Sequence, residues 1–386
     1  MAYPTILNQL IFGESSLKRL PALLNKFSFE SIFLVSGKHS FIQPDIQEVV
    51  QPLFQQYACV QFSDFSKNLQ IEDIEKGVDA YQSLQKPLII AIGGGSVLDM
   101  GKLLHYFGRT GSNPRTFFRQ KHMPQIIPSE RGLIAIPTTA GTGSESTQFA
   151  TLYIDKNKYS LDTIFILPDL AIVDPKLTMS LPAIITAESG MDALTQAVES
   201  YWNIHATTKS QKIAADAMRS IYPNLRQAVR DPSLLVRKKM ALGANLAGRV
   251  INITRTTVCH AISYPMTSWF NVRHGQAVSL SVPAMMAFNS HVSQNDVLDP
   301  RGVEYVQKTL QDICRILGHE SISSFQAGWF SLMRDIGLKT TLADLNIQRS
   351  DWQIIIKHGF NPQRVKKNPR LLTESQLWQQ LESFEK

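Results

Sequence analysis

Over roughly its first half the chain alternates short unbroken apolar runs with stretches in which apolar residues recur at three-to-four spacing. Residues 31–37 (SIFLVSG), 58–63 (ACVQFS), 87–95 (PLIIAIGGG) and 132–139 (GLIAIPTT) are continuous runs bounded by Gly or Pro, the pattern of parallel strands covered on both faces. Between them, 43–56 (QPDIQEVVQPLFQQ) and 71–84 (IEDIEKGVDAYQSL) carry the helical period. Strand, helix, strand in repetition predicts an open parallel sheet. After Pro182 the pattern changes: 186–202, 209–230, 233–253 and 303–318 are all helical in period, and no strand-like run of comparable strength intervenes. The stretch 361–384 reads as a loop followed by a helix capped by Thr373, with Glu374 in its first turn. The expected architecture is an α/β Rossmann-like nucleotide-binding domain over 1–181 and an all-helical domain over 182–386, with the boundary in VDPKLTMSLP (173–182).

The length of 386 residues agrees with two domains, and 44% hydrophobic with 18% charged residues is the balance of a globular protein with a large core. The net charge of +7 is spread along the chain. Its densest runs, Arg237-Lys238-Lys239 and Arg364-Val365-Lys366-Lys367, lie far apart without interleaved aromatics, so they read as solvated faces and not as a nucleic-acid surface. Cys59, Cys259 and Cys314 lack paired spacing and form no disulfide framework, which favours a reducing compartment. The N-terminus lacks the pattern of a signal peptide, and no apolar run reaches the roughly 18 residues of a membrane span. A cytoplasmic protein is expected.

Two polar loops follow predicted strands. In AIGGGSVLDMGK (91–102), Gly93, Gly94, Gly95 and Ser96 fall at a strand's carboxyl end just before a helix, where backbone amides can approach a phosphate at the positive end of the helix dipole. The triplet alone is equally explained as a tight turn, and it is not the G-x-G-x-x-G fingerprint. PTTAGTGSEST (137–147) follows the next strand with several hydroxyl and amide donors. Two such loops at the carboxyl ends of parallel strands point to a ligand site.

GMDALTQAVESYW (190–202) sets an acid and an amide on one face of an otherwise apolar helix, because residues four apart project from the same side. With the histidines of TTVCHAISYPMTSWFNVRHGQAVSL (256–280), the candidate metal ligands are Asp192, Gln196, His260 and His274. Each has a bland alternative: Asp192 as a cap, Gln196 bonded to a buried carbonyl, a histidine as a satisfied core residue.

These motifs, GGGS with Asp99 following, IPTTAGTGSE, PDLAIVDP, GMDALTQAVESYW and CHAISYPMT…RHG, resemble in order and spacing the iron-containing, or group III, alcohol dehydrogenases over nearly the whole chain. The resemblance implies the dehydroquinate synthase-like, iron alcohol dehydrogenase fold: a nucleotide-binding domain, a helical metal-binding domain, and hydride transfer in the cleft between them. It implies Asp192, the residue at position 196, His260 and His274 as metal ligands, where relatives usually have histidine in place of Gln196. A neutral amide oxygen donates less strongly than imidazole, so affinity for Fe²⁺ or Zn²⁺ should fall. Three strong ligands remain, enough for a catalytic site with open positions.

The matching cofactor positions are Gly93 to Ser96, Asp99, Thr138, Thr139, Thr142 and Lys158. Gly37 stands where many NAD-dependent relatives carry an acid for the ribose, and Lys38 and Ser40 are near in sequence, so NADP(H) is expected ahead of NAD(H). Fe²⁺ is expected ahead of Zn²⁺. The implied chemistry is polarisation of a carbonyl by a divalent ion and hydride transfer from the nicotinamide, with Asp192, His260 and His274 holding the ion. His205 and His274 are the candidates for the proton.

The segments DALTQAVESYW, INITRTTVCHAISYPMT and NPQRVKKNPRLLTE look like the branch containing phosphonoacetaldehyde reductases, where a Gln at position 196 is not foreign. Arg255 and Arg273, beside the two histidine segments, are then candidates for an anionic head group, since guanidinium matches phosphonate oxygens bidentately. The expected substrate is a small aldehyde or alcohol, anionic in this reading, and the expected assembly a homodimer. Glycerol-dehydrogenase-like and dehydroquinate-synthase-like enzymes are rival readings, as is a metal-free nucleotide sensor.

Overall fold

The computed structural model describes residues 8–120, 122 and 132–385, so the first seven residues of the stretch read for a signal peptide lie outside the described residues. The chain divides into two compact units. One runs to Thr139 and continues over Gly143–Ser180; the other holds Ala140–Thr142 and everything from Leu181 onward.

Among the described residues, the first unit has eight strands: β1 Gln9–Phe12, β2 Ser31–Ser36, β3 Ala58–Phe62, β4 Pro87–Gly93, β5 Leu133–Pro137, β6 Phe149–Ile154, β7 Asn157–Asp162 and β8 Leu170–Val173. Six form a sheet in the order β1-β8-β5-β4-β2-β3, every neighbouring pair parallel. The four strands expected from apolar runs are β2, β3, β4 and β5. Along β2, Phe33 and Val35 enter one hydrophobic cluster and Ile32 and Leu34 another, as a strand covered on both faces requires. The expected helices form at Pro44–Gln56 and Ile71–Gln82.

The chain adds β3 on one side of β2 and β4 on the other, so the sheet reverses its order there. The carboxyl ends of β2 and β4 flank that switch point, where an open α/β sheet leaves room for a ligand.

Strands β6 and β7 form an antiparallel hairpin that the apolar runs do not announce. Its turn places Asp155 and Lys156 at φ of 49° and 64°, positions where Gly or Asn would have been the sequence signal.

The second unit is helical. Its central helix, Ala183–Trp202, is buried at every residue from 190 to 200 and packs against Thr208–Arg230, Leu234–Thr254 and His274–Leu280. The C-terminal helix Glu374–Glu382 is capped by the Thr373 side chain, as expected. Arg237 corrects the expectation of a solvated basic run: it is 2% exposed and donates from Nη1 to Thr186 Oγ1 at 2.8 Å. Its side chain is drawn inward because the buried face of Leu234–Thr254 includes positions 236, 237 and 240. Among the described residues, no helix is long and apolar enough to cross a membrane.

Candidate functional site

The glycine-rich loop forms as the sequence suggests. Strand β4 ends at Gly93, Gly94 is the N-cap, and the helix Gly95–Thr110 starts with no side-chain cap. Its first N–H groups are therefore left for a ligand or solvent. A Cβ at Gly93 would lie 2.5 Å from Val97 Cγ2, so only glycine lets the strand turn this tightly into the helix. The second loop adjoins the first: Thr138 N donates to Gly93 O at 2.9 Å, and a Cβ at Gly94 would contact Thr139 Cγ2 at 3.4 Å. Gly93 to Ser96, Thr138 and Thr139 thus gather at one end of the sheet. Thr142 belongs to the other unit.

Asp99 has a different setting. Its Oδ1 accepts from Ser144 Oγ at 2.6 Å, and its Oδ2 accepts from Thr151 N at 2.9 Å and Thr151 Oγ1 at 3.0 Å. The carboxylate ties the helix to the loop and to β6. Fully buried Lys102 completes this clamp, donating to Ser144 Oγ at 2.7 Å, Thr147 Oγ1 at 2.8 Å and Phe149 O at 3.1 Å. Burial pulls the Lys102 ammonium down to about 8, against the raising effect of Asp99 and Glu145.

Lys158 lies on β7, away in sequence from both loops. Gly37 follows β2, its N–H directed at Ile92 O at 3.4 Å, and Ser40 Oγ donates back to Gly37 O at 3.2 Å. Lys38 forms an exposed ion pair with Asp64 at 3.0 Å.

In the second unit, three candidate ligands converge. Asp192 Oδ1 is 3.4 Å from His260 Nε2 and 3.8 Å from His274 Nε2. One ligand atom from each of the three lies within 4.8 Å of the others. Asp192 comes from the middle of Ala183–Trp202, His260 from the first turn of Val258–Phe270, and His274 is the first residue of His274–Leu280. The last helix approaches closely because Gly275 has no side chain: a Cβ there would fall 2.0 Å from Glu188 O. The ring of Tyr264 stacks on His274 at 6.3 Å between centroids.

Gln196 lies one helical turn after Asp192. Its Nε2 donates to Thr142 O at 3.4 Å, while its Oε1 is buried with no hydrogen-bond partner. His260 Nε2 is likewise buried without one. Buried polar atoms are normally satisfied. A carboxylate, an amide oxygen and two imidazole nitrogens are the donor set of a divalent ion, so the residues present fit one.

The sequence reading missed what stands behind His260. Glu199, three residues beyond Gln196 on the same stripe, is fully buried, and its Oε2 meets His260 Nδ1 at 2.5 Å. Its Oε1 accepts from Thr257 Oγ1 and Cys259 N, each at 2.7 Å. Burial opposes its charge, yet His260 and Thr257 hold its pKa below the ordinary carboxylate value. Burial also opposes a charged His260, but Glu199 and Asp192 outweigh it and carry the imidazole up to about 9. The signal was the spacing of Asp192, Gln196 and Glu199 at i, i+4 and i+7.

The two candidate substrate arginines are engaged within the protein. Arg255 caps Leu234–Thr254 at φ 64°, and its Nη1 donates to Ile251 O at 3.2 Å and to Asn252 O. Arg273 pairs with Glu188 at 3.2 Å while its side chain stays 48% exposed. His205 is exposed in the turn after the central helix and is not among the three clustered ligands.

Residues 8–175 match the family described as iron-containing alcohol dehydrogenase, and residues 186–384 match the Fe-containing alcohol dehydrogenase family, C-terminal. The chain is 31% identical over 341 residues to long-chain-alcohol dehydrogenase 1 of Geobacillus thermodenitrificans, covering 83% of this chain and 80% of that one. It is 32% identical over 244 residues to a phosphonoacetaldehyde reductase of Streptomyces viridochromogenes, covering 61% and 62%. It spans only 38% and 35% of the length of two aldehyde-alcohol dehydrogenases of Streptococcus pneumoniae that it also matches. Among solved structures, a sulfoacetaldehyde reductase from Bifidobacterium kashiwanohense in complex with NAD⁺ superposes with a TM-score of 0.84 at 26% identity, over 98% of this chain and 96% of that one.

Proposed function

The chain belongs to the iron-containing alcohol dehydrogenase family, oxidoreductases for which a nicotinamide dinucleotide and a divalent ion are implied, and on that premise we propose that it reduces a short aldehyde carrying an anionic group. The observation that carries the reading is the convergence of Asp192, His260 and His274, with the unpartnered Oε1 of Gln196 one turn along from Asp192. These four side chains would hold the ion. When bound, it supplies Lewis acidity to a carbonyl oxygen, and the nicotinamide supplies the hydride.

The protein's own contribution is orientation. Glu199 fixes the His260 ring, and Gly275 lets the His274 helix dock. The open amides after Gly94 and the hydroxyls of Thr138 and Thr139 would receive the cofactor's phosphates. NADP(H) is the cofactor in this reading: nothing acidic occupies position 37, and an exposed pair such as Lys38–Asp64 is weak enough to yield Lys38 to a 2′-phosphate.

The relatives' names divide between anionic aldehydes and simple alcohols. Arg273 favours the former, because half its side chain is exposed directly beside His274. Fe²⁺ is the preferred ion in this reading, with Zn²⁺ its alternative.

The test is elemental analysis of protein purified without chelator, with nicotinamide absorbance followed on phosphonoacetaldehyde, sulfoacetaldehyde and propanal using NADH and NADPH. Hydride transfer that disappears in Asp192→Ala supports the assignment. Turnover of none of these aldehydes by metal-replete protein overturns it. Arg273→Ala should lower kcat/KM on the anionic aldehydes by roughly tenfold or more and leave propanal within about twofold. Equal effects on both would move the substrate class to uncharged aldehydes. Light scattering tests the expected homodimer.

A further inference from the structure

The geometry points to Glu199 as a positioning residue that sets which nitrogen of His260 faces the metal centre, an inference resting on the reading of Asp192, Gln196, His260 and His274 as that centre. The indole Nε1–H of Trp202 can only donate. It donates to Thr257 Oγ1 at 3.0 Å, which directs the threonine's own proton to Glu199 Oε1 at 2.7 Å. The amide of Cys259 can also only donate, and it meets the same oxygen at 2.7 Å. Oε1 is therefore held by two donors of fixed direction, and Oε2 faces His260 Nδ1. An ionised carboxylate only accepts, so Nδ1 must carry the proton and Nε2 is the nitrogen presented to Asp192 Oδ1, 3.4 Å away. That Nε2 is buried with no other partner agrees with this assignment.

The substitution that separates a positioning role from simple packing is Glu199→Gln, which conserves shape. Two donors remain at the Oε1 place, so the glutamine oxygen must stay there and its NH₂ must face His260 Nδ1. The imidazole proton is then driven to Nε2, the ligating position. Loss of such an outer partner of a metal-bound histidine commonly weakens binding by about 10–100-fold.

Zinc is the probe, with its affinity measured by competition against a chelating indicator, and ¹⁵N-histidine spectra recorded on the zinc-loaded protein. The expected result is His260 with Nδ1 protonated and Nε2 coordinated in the wild type, and a zinc Kd about 10–100-fold weaker in Glu199→Gln. Glu199→Asp should retain the tautomer with a smaller loss of affinity. A zinc Kd in Glu199→Gln within about twofold of wild type overturns the inference, as does coordination of wild-type His260 through Nδ1. Should Glu199→Gln fail to fold, the wild-type spectrum decides alone. A wild type that binds no divalent ion overturns the metal-centre reading itself, which is a distinct result.

Discussion

In the proposed ligand set Gln196 is the neutral amide; its Nε2 is directed at Thr142 O and its Oε1 is buried without a hydrogen-bond partner. Gln196→His should tighten zinc binding by roughly tenfold, read by the same indicator competition, because imidazole is the better donor to that ion. Unchanged affinity would remove Gln196 from the ligand set. On the cofactor side, Lys38→Ala should raise KM for NADPH by about tenfold and leave KM for NADH within about twofold, since only the former carries the extra phosphate. Equal KM changes would return the preference to NAD(H). Asp192, His260 and His274 were legible as residue types in recognisable segments. Glu199 lies on the helix stripe of Asp192 and Gln196, but its partners were not legible: Thr257, Cys259 and His260 are about sixty residues away, and only packing brings them to its carboxylate.

Helices and strands set how precisely those side chains meet. The first turn of His274–Leu280 lies directly on the backbone of the central helix at Glu188, where a methyl group has no room. Gly275→Ala should therefore cost about 2–4 kcal/mol of stability by overpacking and weaken zinc binding as His274 is pushed outward. Thermal unfolding with and without zinc checks both effects; a variant of wild-type stability would show that the contact can relax. In the α/β unit, the apolar runs made four of the six sheet strands readable because buried parallel strands are apolar on both faces. The β6–β7 hairpin escaped because its turn uses Asp155 and Lys156 at positive φ. Asp99 reads in sequence as a cofactor position, yet its oxygens meet Ser144 and Thr151, partners that only the loop and hairpin geometry supply.

At the scale of the molecule, buried ionisable groups link stability to pH. His105, in the helix Gly95–Thr110, is pushed down to about 3 by burial and, to a lesser extent, by Arg109. Below its ordinary value of 6.5 the unfolded chain takes up a proton that the folded protein refuses, so this stability is present above pH 6.5 and lost as pH falls towards 3. Between pH 6.5 and pH 5 the loss should reach about 1.6 kcal/mol, and His105→Leu should lose less by that amount in urea unfolding at the two pH values. An identical loss in both proteins would assign the acid sensitivity to other groups. Local patterns alone set the parallel sheet, the helical second half, the glycine turn and the residue types of a candidate metal centre, since periodicity and glycine chemistry act over a few residues. Packing of the folded chain settled that three candidate ligands from three helices share one locus, that Glu199 stands behind His260, and that Arg273 pairs with Glu188. Those facts depend on how buried helices pack, and hydrogen bonds between distant residues leave no local period to read.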